Sequence, residues 1–175
     1  MISVLNIKKI VVGELETNCY IVENKDSCLV IDPGDEFSKI KNSINKKVVG
    51  VLLTHKHFDH VRALKEIVDY YNVPVYDKNN LSNGVNKIGN FELIVNYNPG
   101  HTMDSISFMF DNIMFSGDFI FKGCIGRTDL GGDFAMMQDS IGKILKSEND
   151  YKIYPGHGDV TTLDEEREML KYYLK

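Results

Sequence analysis

A six-residue stretch that contains three histidines constrains most strongly what this chain can fold into. The stretch, residues 55–60, reads His-Lys-His-Phe-Asp-His and directly follows residues 48–53, an apolar run interrupted only by Gly50. Such a run is typical of a strand that is buried on both faces. The histidines therefore stand at the end of a buried strand, where loops commonly carry functional side chains on a rigid scaffold.

The other two histidines of the chain occupy similar positions. His101 and His157 each follow a Pro-Gly pair, which is typical of a turn, and Asp118 follows the apolar strand predicted for residues 113–115. A single histidine is more often a structural residue than a metal ligand. All five histidines of this chain stand at strand ends or turns, and together they favour a metal site.

The spacing within residues 55–60 explains how such a site could be built. Residues i and i+2 of an extended segment point in the same direction, so His55 and His57 can share one metal ion. Asp59 and His60 lie where the next helix is predicted to begin, so they project to another side and can bind a second ion. Asp118 has two carboxylate oxygens and can bridge two cations. Imidazole and carboxylate ligands suit zinc, and also iron or manganese.

The hydrophobic pattern predicts a mixed sheet covered by helices. Short apolar runs predict strands at residues 11–12, 19–23, 28–31, 48–53, 73–76, 91–97, 105–110, 113–115 and 151–154. Helical spacing of apolar residues predicts helices over residues 37–44, 61–71 and 134–145. A last helix is predicted to begin at a capping box formed by Thr162 and Glu165.

Composition limits the classes of protein to which this chain can belong. At 175 residues we expect one domain over residues 1–175, and no apolar run is long enough to span a membrane. A net charge of −5, with scattered lysines and arginines, argues against nucleic-acid or membrane partners. Three cysteines without a Cys-X-X-Cys pair, and residues 1–9 without a signal-type apolar core, predict a cytoplasmic protein.

The motifs together resemble one known superfamily over nearly the whole chain. They are Thr17-Asn18-Cys19-Tyr20, Asp32-Pro33-Gly34, the histidine-rich residues 55–60, Pro99-Gly100-His101-Thr102, Ser116-Gly117-Asp118, Gly126-Arg127-Thr128-Asp129 and Pro155-Gly156-His157-Gly158. With these motifs the chain resembles a metallo-β-lactamase-superfamily hydrolase. Within the superfamily it is most similar to the glyoxalase II-like group, the hydroxyacylglutathione hydrolases and their short bacterial relatives.

The resemblance implies a fold and a division of ligands. The fold would be an α/β, four-layer αβ/βα sandwich of two mixed sheets with helices on the outer faces and the site at one edge. The cofactors would be two divalent metal ions, with zinc expected first and iron or manganese as alternatives. The resemblance assigns His55, His57 and His101 to the first ion. It assigns Asp59, His60 and His157 to the second ion, with Asp118 as the bridge and with Asp59 and Asp118 as the catalytic carboxylates.

The resemblance also implies hydrolysis of a thioester such as S-lactoylglutathione. Water held between two cations loses a proton near neutral pH and then attacks the polarised carbonyl. Two metal ions would make the site locally positive, which favours a small anionic thioester. Arg127 matches the place where relatives have a basic residue close to the substrate, although pairing with Asp129 or Asp133 is an equal alternative. With room for only one helix after His157, we expect most of the glutathione-gripping helical region to be missing.

Three other activities remain open at this stage. Persulfide dioxygenases resemble this chain, share the Gly-Arg-Thr-Asp element and keep the same histidine motifs around a single iron. A lactonase would use the same hydrolytic chemistry on an activated ester. A phosphodiesterase or nuclease of the superfamily is disfavoured by the acidic net charge. Metal identity and stoichiometry distinguish the thioesterase from the dioxygenase.

Overall fold

Two mixed β-sheets form the centre of the molecule. The structure, a computed structural model, describes residues 5–175; residues 1–4, part of the segment examined for a signal sequence, lie outside the described residues. The first sheet has the order β1-β2-β3-β4-β5, with bounds Asn6–Val12, Thr17–Glu23, Ser27–Ile31, Lys47–Leu52 and Val75–Tyr76. The second sheet has the order β13-β12-β9-β8-β7-β6. Its strands β6, β7, β8 and β9 are Gly84–Ile88, Phe91–Tyr97, Ile106–Phe110 and Ile113–Gly117, and its strands β12 and β13 are Lys152–Pro155 and Thr161–Thr162.

Five helices and one small hairpin complete the described part of the chain. Helices α1 to α5 are Phe37–Asn42, Phe58–Val61, Leu64–Tyr71, Phe134–Ile144 and Leu163–Tyr172. The hairpin consists of β10, Ile120–Phe121, and β11, Cys124–Ile125. Within residues 5–175, no helix combines the length and the apolar character that crossing a membrane requires.

Strands β2, β3 and β8 are buried along their whole length because each sheet has a layer on either side. In β2, Tyr20 and Val22 point into the core between the sheets, whereas Cys19 and Ile21 point toward the helices outside the first sheet. Helices α1 and α3 cover that outer face, and α4 and α5 cover the outer face of the second sheet. The predicted four-layer α/β sandwich with outer helices is therefore confirmed.

The helix predicted over residues 61–71 is divided in the structure into α2 and α3. The interruption lies at Arg62 and Ala63, whose backbone N–H groups donate to the carbonyls of Gly34 and Pro33 at 3.2 and 3.0 Å. These long-range bonds replace helical ones and fix the start of the helix against the loop after β3. At the last helix, by contrast, the Thr162 side chain accepts from the Glu165 N–H, which is one half of the predicted capping box. The Glu165 carboxylate accepts from Thr161 Oγ1 and so does not complete the other half.

Four strands were not predicted: β6, β10, β11 and β13. The last three contain only two residues each, too few to show a hydrophobic period. Strand β6, Gly84–Ile88, lies at the edge of the second sheet and is only partly buried. An edge strand needs fewer apolar residues than a central one, so it lacks a strong hydrophobic signal.

Parallel strand pairs bring the polar loops to one edge. β3 and β4 are parallel, as are β9 and β12. The carboxyl ends of parallel neighbours lie at the same edge of a sheet. Asp32 and the histidine-rich loop thus leave the first sheet together, and Asp118 and His157 leave the second sheet together.

Candidate metal centre

Three imidazoles form one group at this edge. His55 follows β4, His57 precedes α2, and His101 lies in the loop between β7 and β8. One ligand atom from each lies within 4.8 Å of the other two. The closest approach is 2.9 Å, between His101 Nε2 and His57 Nδ1. The structure therefore brings together the three histidines predicted for a first metal ion.

A second group lies beside the first. Asp59, His60 and His157 also offer ligand atoms within 4.8 Å of one another. Asp59 Oδ2 lies 3.4 Å from His60 Nε2 and 3.2 Å from His157 Nε2. Thr17 Oγ1 donates to the same carboxylate oxygen at 2.9 Å and orients it. These are the three side chains predicted for a second ion.

Asp118 lies between the two groups. Its Oδ1 is 3.3 Å from His60 Nε2, and its Oδ2 is 3.4 Å from His101 Nε2 and 3.5 Å from His157 Nε2. The carboxylate thus reaches both groups, which is the geometry that a bridging ligand needs. All seven side chains predicted as ligands lie at this centre.

Each of the five histidines has one ring nitrogen held by the protein. The partners are Thr54 Oγ1 for His55, the Leu130 carbonyl for His57, Asp32 for His60, the Arg127 carbonyl for His101 and the Leu15 carbonyl for His157. Each partner accepts a hydrogen bond from the nitrogen that it holds. The other nitrogen then faces the centre, which is the orientation that metal ligation requires.

Three buried atoms at the centre have no hydrogen-bond partner in the described part of the chain: His55 Nε2, His60 Nε2 and Asp118 Oδ1. Leaving such polar atoms buried and unpaired costs free energy. Divalent cations would satisfy these lone pairs simultaneously, and the mixed imidazole and carboxylate ligands suit them chemically. The residues present therefore fit metal ions.

The charges at the centre agree with this interpretation. Burial, together with the neighbouring His60, holds the pKa of His55 well below its usual value, so this ring stays neutral. Burial opposes ionisation of Asp118, but the nearby His157 and His60 imidazoles keep its pKa well below the usual range. Burial also opposes ionisation of Asp59, but the neighbouring His157 lowers its pKa below the usual range. Burial lowers the pKa of His60 and that of His157, but the neighbouring carboxylates outweigh burial and raise the two values to about 10 and about 9. Without metal ions these two rings therefore carry protons, and bound cations would take the place of those protons.

Asp32 belongs to the Asp32-Pro33-Gly34 motif but was not predicted as a site residue, yet it contacts the centre. Its Oδ2 lies 2.9 Å from His60 Nδ1, and it accepts from the Thr54 N–H at 2.8 Å and from Thr54 Oγ1 at 2.6 Å. Its backbone has a φ of +49°, a conformation that non-glycine residues rarely adopt. The available signal was its position after β3, the parallel neighbour of the strand that carries His55.

Arg127 lies where the centre opens to solvent, but its side chain is paired. Its guanidinium makes two hydrogen bonds to Asp129, 2.7 and 2.5 Å long. Of the two acidic partners considered from the sequence, the structure selects Asp129. The backbone carbonyl of Arg127 is the group that holds His101. The residue therefore serves the centre through its main chain, and substrate contact by its side chain stays a prediction.

A cavity of about 660 Å³ opens over the centre. That volume is in the range of small-molecule sites. Five predicted ligands line it: His57, Asp59, His101, Asp118 and His157. The rest of the lining consists of the apolar side chains Leu15, Phe58, Phe121 and Leu130, together with Gly126 and Arg127.

The sequence matches known proteins over most of its length. The family model of the metallo-β-lactamase superfamily matches residues 12–77 and 70–157. A probable metallo-hydrolase of Bacillus subtilis, YqgX, is 32% identical over 93% of this chain and 94% of its own length. The hydroxyacylglutathione hydrolase GloC of Haemophilus influenzae is 29% identical over 93% of this chain and 95% of its own.

Solved structures give the same result. The BLEG-1 B3 metallo-β-lactamase superposes with a TM-score of 0.90 at 28% identity, covering 97% of this chain and 100% of that one. TTHA1623, solved in a di-iron-bound form, superposes with a TM-score of 0.81 at 30% identity, covering 91% and 96%. From the sequence match, the fold and the arrangement of the histidines, the chain belongs to the metallo-β-lactamase superfamily of metal-dependent hydrolases.

Proposed function

We propose that this chain hydrolyses thioesters with two divalent metal ions, most simply zinc. The observation that carries the proposal is that the free nitrogens of five oriented imidazoles and the oxygens of two ionised carboxylates converge on one edge of the sandwich. Residues held in this way are preorganised, so little side-chain entropy is lost when ions bind.

The relatives support hydrolysis as the reaction type and thioesters as the substrate class. YqgX is a probable metallo-hydrolase, and GloC is a hydroxyacylglutathione hydrolase, an enzyme named for a thioester substrate. Both are matched over more than nine-tenths of their length. We therefore place this chain with the glyoxalase II-like group.

We assign the first ion to His55, His57 and His101 and the second to Asp59, His60 and His157, with Asp118 shared. Bound there, the ions would supply Lewis acidity and would lower the pKa of water toward neutrality. Asp59 and Asp118 would orient that water, because both carboxylates stay ionised and both face the cavity.

The reaction consumes one water molecule. A carbon–oxygen bond forms at the thioester carbonyl, the carbon–sulfur bond breaks, and the products are a carboxylate, a thiol and a proton. No side chain of the protein forms a covalent bond to the substrate. The buried Cys19 and Cys28 and the Cys124 thiol, which does not line the cavity, take no part.

Substrate contact by Arg127 is part of the same proposal. It is the only Lys or Arg side chain that lines the cavity in the described part of the chain. Because Asp129 already occupies the guanidinium, an anionic substrate group would share or displace that partner. We expect Arg127→Ala to raise KM for S-lactoylglutathione more than it lowers kcat.

The experiment that tests the proposal combines metal analysis with a substrate panel. Protein purified anaerobically without added metal is analysed by mass spectrometry, and S-lactoylglutathione, a lactone, bis-p-nitrophenyl phosphate and glutathione persulfide are then assayed. We expect close to two zinc ions per chain and thioester cleavage as the fastest reaction. One iron per chain with oxygen consumption on the persulfide would contradict the proposal.

A matched pair of variants identifies the source of the activity. Asp118→Asn removes the shared carboxylate, and we expect activity to fall by about two orders of magnitude or more. Asp111→Asn, in the exposed turn between β8 and β9, is the control and keeps full activity. Unchanged activity of Asp118→Asn after loss of metal would refute the assignment.

A further inference from the structure

Large apolar side chains surround the centre on its open side. Leu15, Phe58 and Leu130 are 53%, 62% and 54% exposed, and all three line the cavity over the ligands. Phe121, which is half-buried, lines it too. Exposed apolar side chains grouped around a polar site mark a binding surface more often than a chance arrangement.

None of the three exposed residues is needed by the hydrophobic cores of the molecule. Leu15 belongs to the loop between β1 and β2, and Phe58 is the first residue of α2. Phe58 is exposed, whereas His60 of the same helix is fully buried. They belong to none of the three core clusters of the described residues, nor do they pack against one. Their side chains are therefore free to contact a ligand.

The apolar residues are distributed unevenly across the cavity. Leu15 adjoins His157 through the hydrogen bond to its carbonyl, and the Phe121 ring centre lies 5.9 Å from that of His157. Phe58 and Leu15 also line a second, smaller cavity together, beside Asp59. We call these three residues, Leu15, Phe58 and Phe121, the apolar end. The other end of the cavity, at His101 and His57, is lined by Arg127, whose carbonyl holds His101, and by Leu130, whose carbonyl holds His57.

We propose that the apolar end binds an apolar acyl group of the substrate, so that this chain prefers thioesters of medium-length acyl chains to those of short or hydroxylated ones. This inference rests on the proposed thioester hydrolysis. The two ends of the cavity orient the substrate. The acyl chain lies over Leu15, Phe58 and Phe121, and the thiol part, which develops negative charge as the carbon–sulfur bond breaks, lies toward Arg127.

The reaction is unchanged by this orientation. Water adds to the carbonyl carbon, the carbon–sulfur bond breaks, and the products are a medium-chain carboxylate, a thiol and a proton. Each methylene removed from water by the apolar end strengthens binding, so the preference grows with chain length until the cavity is filled.

The test compares glutathione thioesters that differ only in the acyl group. For the zinc-loaded enzyme we expect kcat/KM for S-octanoylglutathione to exceed that for S-acetylglutathione by about tenfold or more. Phe58→Ser and Leu15→Ser should each reduce this ratio by about fivefold. Both positions are exposed, so either variant can be tested independently should the other fail to fold. Val85→Ser, at an exposed position of β6 outside the cavity, is the control and keeps the wild-type ratio.

A binding measurement separates this inference from the proposed function. S-(2-oxononyl)glutathione and S-(2-oxopropyl)glutathione carry a methylene between sulfur and carbonyl and cannot be hydrolysed as thioesters. We expect calorimetry to show that the longer ketone binds about tenfold more tightly, and that Phe58→Ser removes most of the difference. Tighter binding of the longer ketone without any thioester cleavage would support the proposed role of the apolar end and refute the proposed hydrolysis.

A lack of any dependence on acyl-chain length would count against the inference. Cleavage of both thioesters at similar rates, with equal affinities for both ketones and no effect of Leu15→Ser or Phe58→Ser, would overturn the inference and leave the proposed hydrolysis intact. Absence of both cleavage and chain-length-dependent binding would overturn both.

Discussion

The Nδ1 atom of His60 lies 2.9 Å from Oδ2 of Asp32, and both side chains are almost completely buried. The same carboxylate receives two hydrogen bonds from Thr54, the residue before His55. Asp32 therefore fixes the orientation of His60 directly and supports the neighbouring His55 through Thr54. One residue outside the ligand set thus holds both groups of the centre in position.

Replacement of Asp32 by Asn tests this relationship. The Nδ2 of the new amide cannot accept a hydrogen bond from His60 Nδ1, so the ring is no longer held with Nε2 toward the centre. We expect zinc affinity, measured by competition with a chromophoric chelator, to fall by about 10- to 100-fold. Asp35 lies in the same loop as Asp32 and forms a partly exposed ion pair with Arg62. Asp35→Asn should leave the zinc affinity unchanged. Equal affinities for the two variants would disprove the role of Asp32.

Asn18 holds the loop that carries His157. Its buried side-chain amide donates to the carbonyls of Pro155 and Gly158 at 3.0 and 2.9 Å. We expect Asn18→Ala to lower the free energy of unfolding by about 2–3 kcal/mol and to weaken binding of one metal equivalent, because both carbonyls lose a partner.

The control for Asn18→Ala is Tyr20→Phe. It removes only the Tyr20 hydroxyl bond to Pro155 and should retain both metal equivalents. Metal stoichiometry after dialysis, together with urea unfolding, measures the two effects. Retention of two ions by Asn18→Ala would count against this role.

Gly34 is required by a close backbone contact. A Cβ at this position would lie 1.9 Å from the carbonyl oxygen of Asp59, so Gly34→Ala must displace the loop that carries this ligand. We expect a loss of about 2–3 kcal/mol in the free energy of unfolding, with weaker metal binding. Gly142→Ala, in α4 with open space around it, should instead stabilise the protein by about 0.5–1 kcal/mol. Urea unfolding of both variants gives the comparison.

The three cysteines should differ in reactivity. Cys19 and Cys28 are buried and Cys124 is exposed, and burial raises the pKa of the Cys28 thiol to about 11. Because the thiolate is the reactive form, we expect Ellman's reagent to modify one thiol per native chain and three in guanidinium chloride. Cys124→Ser should remove the native reaction. Rapid modification of a second native thiol would indicate that the first sheet opens readily.

Glu23 links stability to pH away from the metal centre. It is 4% exposed and accepts from Lys8 Nζ and Asn6 Nδ2, each at 2.7 Å. Burial opposes its ionisation, but these bonds lower its pKa below the usual value. Its stabilising contribution is therefore present above the unfolded pKa of about 4.3 and is lost as pH falls through the folded pKa.

The measurement is the difference in unfolding free energy between the wild type and Glu23→Gln. We expect Glu23→Gln to be less stable by about 1–2 kcal/mol at pH 7 and by a smaller amount below about pH 4. The contribution of bound metal to stability is the same in both proteins and cancels in the difference. Glu148→Gln, at an exposed position, should show no such trend. A pH-independent difference for Glu23→Gln would exclude the ionised carboxylate as its source.

The sequence predicted what depends on local pattern. Two-sided burial of residues 48–53, the helix cap at Thr162 and the grouping of histidines at strand ends follow from neighbouring residues, and the structure agrees with each. Recognition of the superfamily required the motifs as a set, because no single histidine identifies a metal ligand.

Features that depend on distant partners could not be predicted in this way. The interruption between α2 and α3 arises from carbonyls at Pro33 and Gly34, about thirty residues away in the chain. The carbonyls of Leu15 and Leu130 orient His157 and His57, and a backbone carbonyl is present at every residue. Their roles become visible only when the fold brings them to the imidazoles.

The ligands of the centre come from both sheets. The histidine-rich loop leaves the first sheet, whereas His101, Asp118 and His157 leave the second. Bound ions would therefore act as cross-links between the two halves of the sandwich, which could not separate without releasing them. Metal supply would then set the lifetime of the folded chain as well as its activity, and a metal-starved cell would lose the protein itself through unfolding and proteolysis.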